Sequence, residues 1–417
     1  MKVLVVGGGG REHAILWKLK QSPRVSKLYC APGNGGISDI AECVSLSALD
    51  IEGIVGFSLK EKIDMVVVAP DDPLAAGMVD ALEEAGVRAF GPRKNAAELE
   101  SSKVFAKKLM KKYNIPTASY EVFEDSETAL DYVRTAKLPL VVKADGLALG
   151  KGVLICNTEN EAADAVISIM EDRRFGDAGK RIVVEEFLEG PEVSVLAFTD
   201  GKTIIPMESS QDHKRACDND EGPNTGGMGT FSPSRHYTGE IHDICMEKIF
   251  VPTINAMNNE GRPFKGVIFF GLILTEDGPK VLEYNARFGD PETQVVLPRL
   301  ENDLLEVFEA VIDEKLDTIK LSWKNETAVC VVMASGGYPG NYEKGYEISG
   351  LDSVDEDIIV FHAGTKKENN KYFTNGGRVL GVTALAGNME KAREKAYRAV
   401  SRICFRDAHY RKDIGIK

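Results

Sequence analysis

The stretch KVLVVGGGGREHAILWKLK (residues 2–20) joins an apolar strand to a helix through four glycines. Lys2–Val6 is apolar after its first residue, which is typical of a buried strand, whereas Ala14, Ile15 and Leu19 recur at helical spacing. A strand–turn–helix unit of this kind predicts an α/β domain built on a parallel sheet.

The same alternation continues through the first hundred residues. Further strands are expected at Lys27–Cys30, Ile63–Ala69 and Val87–Phe90, and a helix at Leu74–Ala85 that Gly86 ends. Strands that alternate with helices form a mostly parallel sheet with helices on both faces. We therefore predict a doubly wound N-terminal domain.

Beyond residue 100 the pattern becomes mixed, so the chain as a whole is expected to be α+β. Ser101 or Ser102 resembles the N-cap of a helix through Tyr113. Further strands are expected at Leu138–Lys143, Val153–Cys156, Ile182–Phe187, Val193–Phe198, Gly266–Leu274 and Lys280–Asn285. The last predicted helix is Met389–Cys404.

The composition is that of a soluble globular protein, with 417 residues, 43% of them hydrophobic and 28% charged. A net charge of −13 disfavours a nucleic-acid backbone binder, which needs a basic surface. The longest apolar run, Val267–Leu274, is too short for a membrane span. The seven cysteines are scattered without a CxxC pair, which suggests neither disulfides nor zinc. We expect a cytoplasmic protein without nucleic-acid or membrane partners.

The glycine turn Gly7–Glu12 can present backbone N–H groups and a helix N-terminus to an anion. It does not fit a dinucleotide fingerprint, because Glu12 occupies the third glycine position and no acidic residue ends the second strand. A phosphate site is favoured over NAD. Arg11 and the turn Gly33–Gly36 could add to it, and a tight turn without a ligand is the alternative.

A second glycine-rich segment, Lys143–Gly152, links two apolar strands. It is not a Walker A loop, because the glycine spacing is one residue short and no Ser or Thr follows Lys151. Lys143 ends a buried strand, so its ammonium is held toward one point. The segment predicts a hairpin lid over phosphates, and a surface hairpin with an incidental lysine is the alternative.

Two further strand ends carry carboxylates. After the strand at Ile182–Phe187, extended backbone could meet a purine edge, and a following carboxylate could meet a ribose. Taken alone this signal is weak, and solvated surface glutamates explain the segment better. Glu283 and Asn285 are expected on one face of their strand and Leu282 with Tyr284 on the other. Carboxylate and amide oxygens suit Mg²⁺, although an exposed strand end is an equal alternative.

The stretch Gln211–Gly229 is long, polar and glycine-rich, and loops of this kind in compact domains are usually functional or disordered. Asp212 could hold a substrate ammonium, and Gly226–Gly227 could approach a small carboxylate. His213 is more simply a structural residue, because no Ser or Cys accompanies it as a nucleophile.

Taken together, the motifs resemble the phosphoribosylamine–glycine ligase family of the ATP-grasp superfamily. The resemblance rests on GGGGREHA (7–14), GNGG (33–36), FGPRKNAAELESSK (90–103), VVKADGLALGKGV (141–153), VEEFLEGPEVS (184–194), QDHKR (211–215), GPNTGGMG (222–229), EYNARFGDPETQ (283–294), ASGGYPG (334–340) and GGRVLGVTAL (376–385). It implies five segments, namely an N-terminal domain (1–100), a connecting helix (101–121), a lid subdomain (122–190), a central subdomain with a metal site (191–325) and a small C-terminal α/β domain (326–417).

The resemblance also implies ATP-dependent ligation of glycine to 5-phosphoribosylamine through a glycyl phosphate, with Mg²⁺ or Mn²⁺. Arg287, Asp290 and Asp212 would line the reacting centre, and Glu283 and Asn285 would bind the metal. ATP would contact Lys103, Lys143, Gly150, Lys151, Gly152, Glu185, Glu186, Leu188 and Glu192. The other substrates would contact Gly8, Gly9, Gly10, Arg11, Glu12, Asn34, Gly35, Asp71, Lys214, Gly226 and Gly227.

Some points stay open at this stage. Asp71 stands where the family usually has a glutamate, and Leu149 replaces the usual alanine in the lid. The alternatives are another ATP-grasp ligase or carboxylase, an NAD-dependent oxidoreductase, and a non-catalytic nucleotide-binding regulator. Because the ribosylamine is labile, a transient contact with the preceding enzyme of the pathway is conceivable.

Overall fold

The computed structural model describes residues 1–148 and 152–416. Its N-terminal sheet is parallel throughout, with strand order β3-β2-β1-β4-β5. The strands are β1 (Lys2–Gly7), β2 (Lys27–Pro32), β3 (Glu42–Cys43), β4 (Met65–Val68) and β5 (Ala89–Phe90). The helices are α1 (Gly10–Leu19), α2 (Ile51–Glu61), α3 (Asp71–Ala76), α4 (Met78–Glu84) and α5 (Lys94–Ser101).

The strand order reverses between β1 and β4, and open α/β sheets bind ligands in the crevice at such a point. The glycine turn after β1 and Asp71 after β4 both lie there. The prediction of one helix at Leu74–Ala85 is wrong. Gly77 adopts a φ of +96° and separates α3 from α4, a backbone conformation that glycine adopts without strain.

A connecting helix, α6 (Lys103–Lys112), begins as predicted at an N-cap, where Ser102 Oγ accepts a hydrogen bond from Phe105 N. The antiparallel sheet that follows has the order β6-β9-β7-β8. Its elements are β6 (Tyr120–Phe123), α7 (Ser126–Val133), β7 (Leu140–Ala144), β8 (Val153–Cys156), α8 (Glu159–Val166) and β9 (Ile182–Glu186). This unit buries a hydrophobic cluster of its own.

A four-stranded antiparallel sheet with order β11-β10-β16-β17 forms the central part. Its strands are β10 (Glu192–Asp200), β11 (Ile204–Pro206), β16 (Lys265–Thr275) and β17 (Gly278–Asn285). The helices around it are α9 (Gly239–Cys245), α10 (Val251–Asn259), α11 (Thr293–Arg299) and α12 (Leu304–Ile312), and a small hairpin is formed by β13 (Arg215–Cys217) and β14 (Glu221–Asn224).

The C-terminal sheet has the order β12-β15-β18-β23-β20, and two of its strands come from the preceding segment. These two are β12 (Gln211–Asp212) and β15 (Gly229–Ser232); the others are β18 (Thr327–Ala334), β20 (Ile358–His362) and β23 (Arg378–Ala386). Strands β19 (Glu347–Ile348), β21 (Thr365–Glu368) and β22 (Lys371–Thr374) form a smaller sheet, and α13 (Met389–Val400) packs on β18 and β23.

Both faces of the N-terminal sheet are buried. Leu4 and Val6 lie in a cluster that extends to α6, β10 and β16, whereas Val3 and Val5 lie in a second cluster that extends to α11 and α12. The N-terminal and central parts therefore share their cores. Among the described residues, no helix has the length and hydropathy that crossing a membrane requires.

Candidate active site

The glycine turn after β1 is organised by Glu12. Glu12 Oε2 accepts a hydrogen bond from Gly9 N at 2.5 Å, and Oε1 accepts one from Arg11 Nε at 2.7 Å. A Cβ on Gly7 would lie 2.6 Å from Glu12 Cγ, so the turn closes tightly around this side chain. The departure from a dinucleotide motif at position 12 thus has a structural cause, because the carboxylate caps α1 from within.

Arg11 connects the turn to the rest of the site, because its Nη1 donates to Phe288 O at 3.1 Å. Burial would lower the pKa of Arg11, yet three carboxylates together raise it above the ordinary value. They are Glu12, Asp290 and Asp71. Asp71 therefore lies close enough to act on Arg11, and the crevice at the sheet reversal is lined by charges of both signs.

Asn34 forms the second turn of this crevice and is fully engaged within the protein. Its Nδ2 donates to Gly8 O and His362 O at 2.9 and 2.8 Å, and its Oδ1 accepts from the N–H groups of Gly36 and Ile37. An amide side chain has no further hydrogen-bonding positions than these four. Asn34 can therefore shape a substrate site but has no side-chain group left for a ligand. Gly35 N likewise donates to a protein carbonyl, at 3.0 Å.

Where the nucleotide is expected, two buried lysines share one carboxylate. Lys143 Nζ and Lys107 Nζ both lie 2.9 Å from Glu185 Oε2, and Lys143 also donates to Leu282 O at 3.1 Å. Glu185 Oε1 is buried without a hydrogen-bond partner in the described part of the chain. The cluster of Lys143, Lys107 and Glu185 therefore has one more positive than negative charge, which would suit a phosphate. Its free acceptor, Glu185 Oε1, would suit an adenine amine.

Lys103 begins α6 and reaches the first part of the predicted lid, where Nζ donates to Gly146 O at 3.0 Å. Burial lowers its pKa, against the opposing effect of Glu283. Asp145 fastens the same segment, because its Oδ1 accepts from Ser102 Oγ and Val104 N. At the other side of the hairpin, Gly152 O accepts from Ala144 N at 2.9 Å. Gly150, Lys151 and Leu149 lie outside the described residues.

The segment after β9 connects the lid sheet to the central sheet. Glu186 exchanges hydrogen bonds with Ser119 through its backbone N–H and its Oε1. Leu188 follows, half-buried, and Glu192 begins β10, where Oε2 accepts from Lys214 Nζ at 2.9 Å. Lys214 also lies 3.8 Å from Glu283 Oε1. The expected ribose carboxylate and the expected metal ligand are thus bridged by one ammonium.

The predicted metal ligands lie on one face of β17, next to a β-bulge. Val281 pairs with Leu272 and Glu283 with Gly271, so Leu282 has no partner of its own. The bulge places Val281, and not Leu282, in the core with Tyr284, which corrects the predicted alternation. Its physical effect is to free the Leu282 carbonyl to accept from Lys143.

Glu283 and Asn285 fit a small divalent cation. Burial would raise the pKa of Glu283, but three neighbouring lysines outweigh burial and lower it, so the carboxylate is ionised. Among the described residues no group of three or more His, Cys, Asp or Glu side chains could hold a metal. A pair of oxygen donors beside the lysines expected to bind phosphates would suit Mg²⁺ or Mn²⁺, since Mg²⁺ takes its remaining ligands from phosphates and water.

Arg287 lies between the nucleotide side and the crevice. Its Nη2 is 3.0 Å from Glu100 Oε1 and 3.4 Å from Asn285 Oδ1, and its Nε is buried without a hydrogen-bond partner within the described ranges. Glu100 is itself fixed, because its Oε2 accepts from Ala286 N at 2.6 Å. An oriented guanidinium with one free donor is suited to a transferring phosphoryl group.

Asp290 faces the N-terminal glycine turn from the other side. Its Oδ1 accepts from Gln294 Nε2 at 2.7 Å, and its Oδ2 lies 3.2 Å from Arg378 Nη2. A Cβ on Gly9 would be only 3.4 Å from Asp290 Oδ2. Burial would raise the pKa of Asp290, but Arg378, followed by Arg11, lowers it below the ordinary value. Asp290 is therefore an ionised carboxylate at the N-terminus of α1.

Asp212 lies beside Gly227, whose missing side chain makes room for it. A Cβ on Gly227 would be 2.7 Å from Asp212 Oδ1 and 2.5 Å from Pro291 Cδ. Asp212 Oδ1 is buried without a hydrogen-bond partner in the part of the chain described, and burial, then Glu292, raises the pKa of Asp212 well above its usual range. A nearby cation would stabilise the charged form of such a buried, unpaired carboxylate.

Three family models match the chain in succession: the N domain of phosphoribosylglycinamide synthetase over residues 1–100, its ATP-grasp (A) domain over 101–293 and its C domain over 328–417. The chain belongs to the phosphoribosylglycinamide synthetase family. The resemblance predicted from the motifs is confirmed, and with it the ATP-grasp fold. The subdivision predicted within residues 101–325 stays a prediction.

Relatives within the phosphoribosylglycinamide synthetase family match along the whole chain. The phosphoribosylamine–glycine ligase of Halalkalibacterium halodurans is 50% identical over 417 residues, which is 100% of this chain and 97% of that protein. The trifunctional purine biosynthetic protein adenosine-3 of Gallus gallus is also 50% identical, over 100% of this chain but 42% of that protein. In one relative, therefore, the family unit forms part of a longer polypeptide.

Solved structures agree with the family assignment. The crystal structure of phosphoribosylamine–glycine ligase from Thermotoga maritima has a TM-score of 0.88 and 33% identity, over 99% of this chain and 100% of that one. Biotin carboxylase from Campylobacter jejuni has a TM-score of 0.76 at 16% identity, covering 100% and 94% of the two chains, which shows a shared fold alone. The oxidoreductase alternative has no support in these comparisons.

The structure adds residues that the sequence analysis missed. Lys107 joins the lysine–glutamate network, Glu100 orients Arg287, Asp145 fastens the lid, and Arg378 binds Asp290. Lys107 could have been found, because it lies one helical turn after Lys103 on α6. The other three depend on contacts between distant segments and carry no local signal.

Proposed function

We propose that this chain joins glycine to 5-phosphoribosylamine using ATP, and yields glycinamide ribonucleotide, ADP and phosphate. The observation that carries the substrate assignment is Asp212, whose buried Oδ1 lacks a hydrogen-bond partner within the described residues. An ammonium group would supply the missing cation, and glycine carries one beside the carboxylate that must be activated. Full-length similarity to phosphoribosylamine–glycine ligases supports the same reaction.

The first step transfers the γ-phosphoryl group of ATP to a glycine carboxylate oxygen, and ADP leaves. Lys103 and Lys143 bind the phosphates, and the free acceptor Glu185 Oε1 takes the adenine amine. Mg²⁺ or Mn²⁺ held by Glu283 and Asn285 would neutralise charge on the phosphates. The Nε of Arg287 donates to the group in transfer, where it stabilises charge without having to reorient.

In the second step the amine nitrogen of the ribosylamine attacks the carbonyl carbon of glycyl phosphate. Phosphate leaves and the nitrogen loses one proton. The enzyme forms no covalent bond, so its contribution is positioning and electrostatic stabilisation. The crevice between the glycine turn and Asp71 receives the ribosyl phosphate, with Arg11 as its fixed positive charge, and Asp290 lies between this crevice and Gly227.

The direct test is ADP release with Mg²⁺ and ATP, while 5-phosphoribosylamine is generated from ribose 5-phosphate and ammonia. We expect release to require both glycine and the ribosylamine. Release with neither, or only with bicarbonate, would keep the ATP-grasp fold and refute the substrates. With this function we also propose that the protein is cytoplasmic and that it makes transient contact with the enzyme that supplies the amine.

Asp212→Asn tests the glycine site separately. Hydrogen bonds to charged groups contribute about 1.5–3 kcal/mol, so we expect the KM for glycine to rise about 10- to 100-fold with the KM for ATP unchanged. Asp177→Asn is the matched control, because Asp177 is exposed in the 3-10 turn Gly176–Lys180 before β9 and forms an ion pair with Lys180. An unchanged KM for glycine in Asp212→Asn would remove Asp212 from the site.

Glu283→Gln tests the metal site. The variant keeps the size of the side chain but loses the charge, so we expect a much higher Mn²⁺ concentration for half-maximal turnover and weaker Mn²⁺ binding in a titration without substrates. Binding and turnover with the metal dependence of the wild type would exclude Glu283 as a ligand.

A further inference from the structure

Two glycine-rich motifs of the C-terminal domain meet at the turn Gly226–Gly227. From the motif GGRVLG (376–381), Arg378 Nη1 donates to Gly226 O at 2.5 Å and to Gly227 O at 3.5 Å. From the motif ASGGYPG (334–340), Tyr338 Oη accepts from Gly226 N at 3.1 Å. The turn is thus held at both its N–H and its C=O groups by side chains from a different domain.

Arg378 binds a second active-site segment at the same time. Its Nη1 donates to Asp290 O at 2.7 Å, and its Nη2 forms the ion pair with Asp290 Oδ2 at 3.2 Å. One guanidinium therefore joins the Gly226–Gly227 turn to the segment that carries Asp290. A planar group with five N–H donors can do this, whereas a lysine ammonium cannot cover the same acceptors.

The local sequence makes this close approach feasible. A Cβ on Gly377 would lie 2.3 Å from the Tyr338 ring, so glycine is required for Tyr338 to lie against β23. A Cβ on Gly226 would lie 3.2 Å from Arg378 Cζ, which leaves the guanidinium little space to move. The side chain of Arg378 is only 21% exposed. Its environment is acidic, because Asp290, Asp212 and Glu292 all interact with it electrostatically.

We propose that Arg378 and Tyr338 are positioning residues that set the affinity of the enzyme for its two non-nucleotide substrates. Both residues hold the Gly226–Gly227 turn, beside which Asp212 lies, and Arg378 also holds Asp290 at the ribosylamine crevice. ATP is bound by lysines and a carboxylate that neither residue contacts. The inference rests on the proposed function, and it gives the C-terminal domain a direct part in substrate selection.

The experiment compares Arg378→Ala, Arg378→Lys and Tyr338→Phe with the wild type for the KM values of glycine, ribosylamine and ATP. For Arg378→Ala we expect the first two KM values to rise at least 10-fold and that of ATP to stay within about twofold. Arg378→Lys, which keeps the charge but not the fork of donors, should be intermediate. Tyr338→Phe, which removes one hydroxyl and keeps the ring, should raise the KM for glycine about two- to tenfold.

Arg398→Ala is the control, because Arg398 lies in the same domain but is exposed on α13 and pairs with Glu394. Added guanidinium should lower the KM for glycine in Arg378→Ala and leave Arg398→Ala unchanged. Equal increases in all three KM values, or none, in the Arg378 variants and in Tyr338→Phe would overturn the proposal. A wild-type enzyme whose ADP release needs neither glycine nor ribosylamine would instead refute the proposed function.

Discussion

Replacing Gly227 by alanine separates the cost of backbone strain from the cost of displacing an active-site group. Gly227 has a φ of +110°, a conformation that L-residues adopt at a cost of about 1–3 kcal/mol. The added Cβ would also lie 2.5 Å from Pro291 Cδ and 2.7 and 2.8 Å from the two carboxylate oxygens of Asp212. Two separate penalties therefore act at one position.

The second penalty can be estimated from distances. Carbon atoms in contact are normally about 3.5–4.0 Å apart, so the turn or Asp212 must move by about 1 Å. A misplacement of this size costs on the order of 10² in rate, which corresponds to about 2.7 kcal/mol of transition-state stabilisation. We therefore expect Gly227→Ala to lower kcat about 100-fold.

The chain contains a close match for the control. Gly278, at the tip of the β16–β17 hairpin, has a φ of +112°, and a Cβ there would have no heavy atom of the described chain within 4 Å. Gly278→Ala should therefore lose only the free energy of unfolding that the backbone strain costs, and it should retain kcat within about twofold.

Urea denaturation measures the first effect, and ADP release at saturating substrates measures the second. If both variants kept full kcat, or lost it equally, the contact between Gly227 and Asp212 would have no bearing on catalysis.

Further predictions concern charge burial. Glu185→Gln should lower the free energy of unfolding by about 3–5 kcal/mol, because Lys107 and Lys143 lose their shared carboxylate, and Mg²⁺–ATP should restore part of it in urea denaturation; a loss below about 1 kcal/mol would contradict this. Lys143→Ala should raise the KM for ATP while the far-UV circular dichroism stays unchanged, and unchanged kinetics would assign phosphate binding to the other lysines. Burial lowers the pKa of His13 to about 3 and of His362 to about 4, so below pH 6.5 each of these two histidines binds more protons in the unfolded chain than in the folded one. As the pH falls from 6 to about 4.5, each of these two histidines should lower the free energy of unfolding by about 1.4 kcal/mol per pH unit, and a double variant, His13→Gln with His362→Gln, should lack the contribution of these two residues.

Features that depend on neighbouring residues could be predicted from the sequence. An N-cap at Ser101 or Ser102, the parallel first sheet and the shared face of Glu283 and Asn285 all follow from local spacing, and the structure places the cap at Ser102. The single helix predicted at Leu74–Ala85 failed because Gly77 is tolerated within a helical pattern, and only the fold shows that it adopts a positive φ.

Features that depend on distant segments could not be predicted. Arg378 and Gly226 are separated by 152 positions in the chain, and nothing near either residue indicates the contact. The role of Asn34 was also beyond the sequence, because one of its partners is the carbonyl of His362 in another domain. The motifs predicted which residues lie near the site. Which of these side chains are free to contact a ligand, and which are already hydrogen-bonded within the protein, could be seen only in the structure.

The C-terminal sheet has a consequence for synthesis on the ribosome. The strand that carries Asp212, β12, pairs with β15, and β15 in turn needs β18, which is translated much later. Strand β18 is then completed by β23, which ends at Ala386. At a translation rate of about 5–20 residues per second, the first two strands wait several seconds for their partners. A nascent chain released before β23 emerges therefore lacks the strand that completes the sheet to which β12 and Asp212 belong.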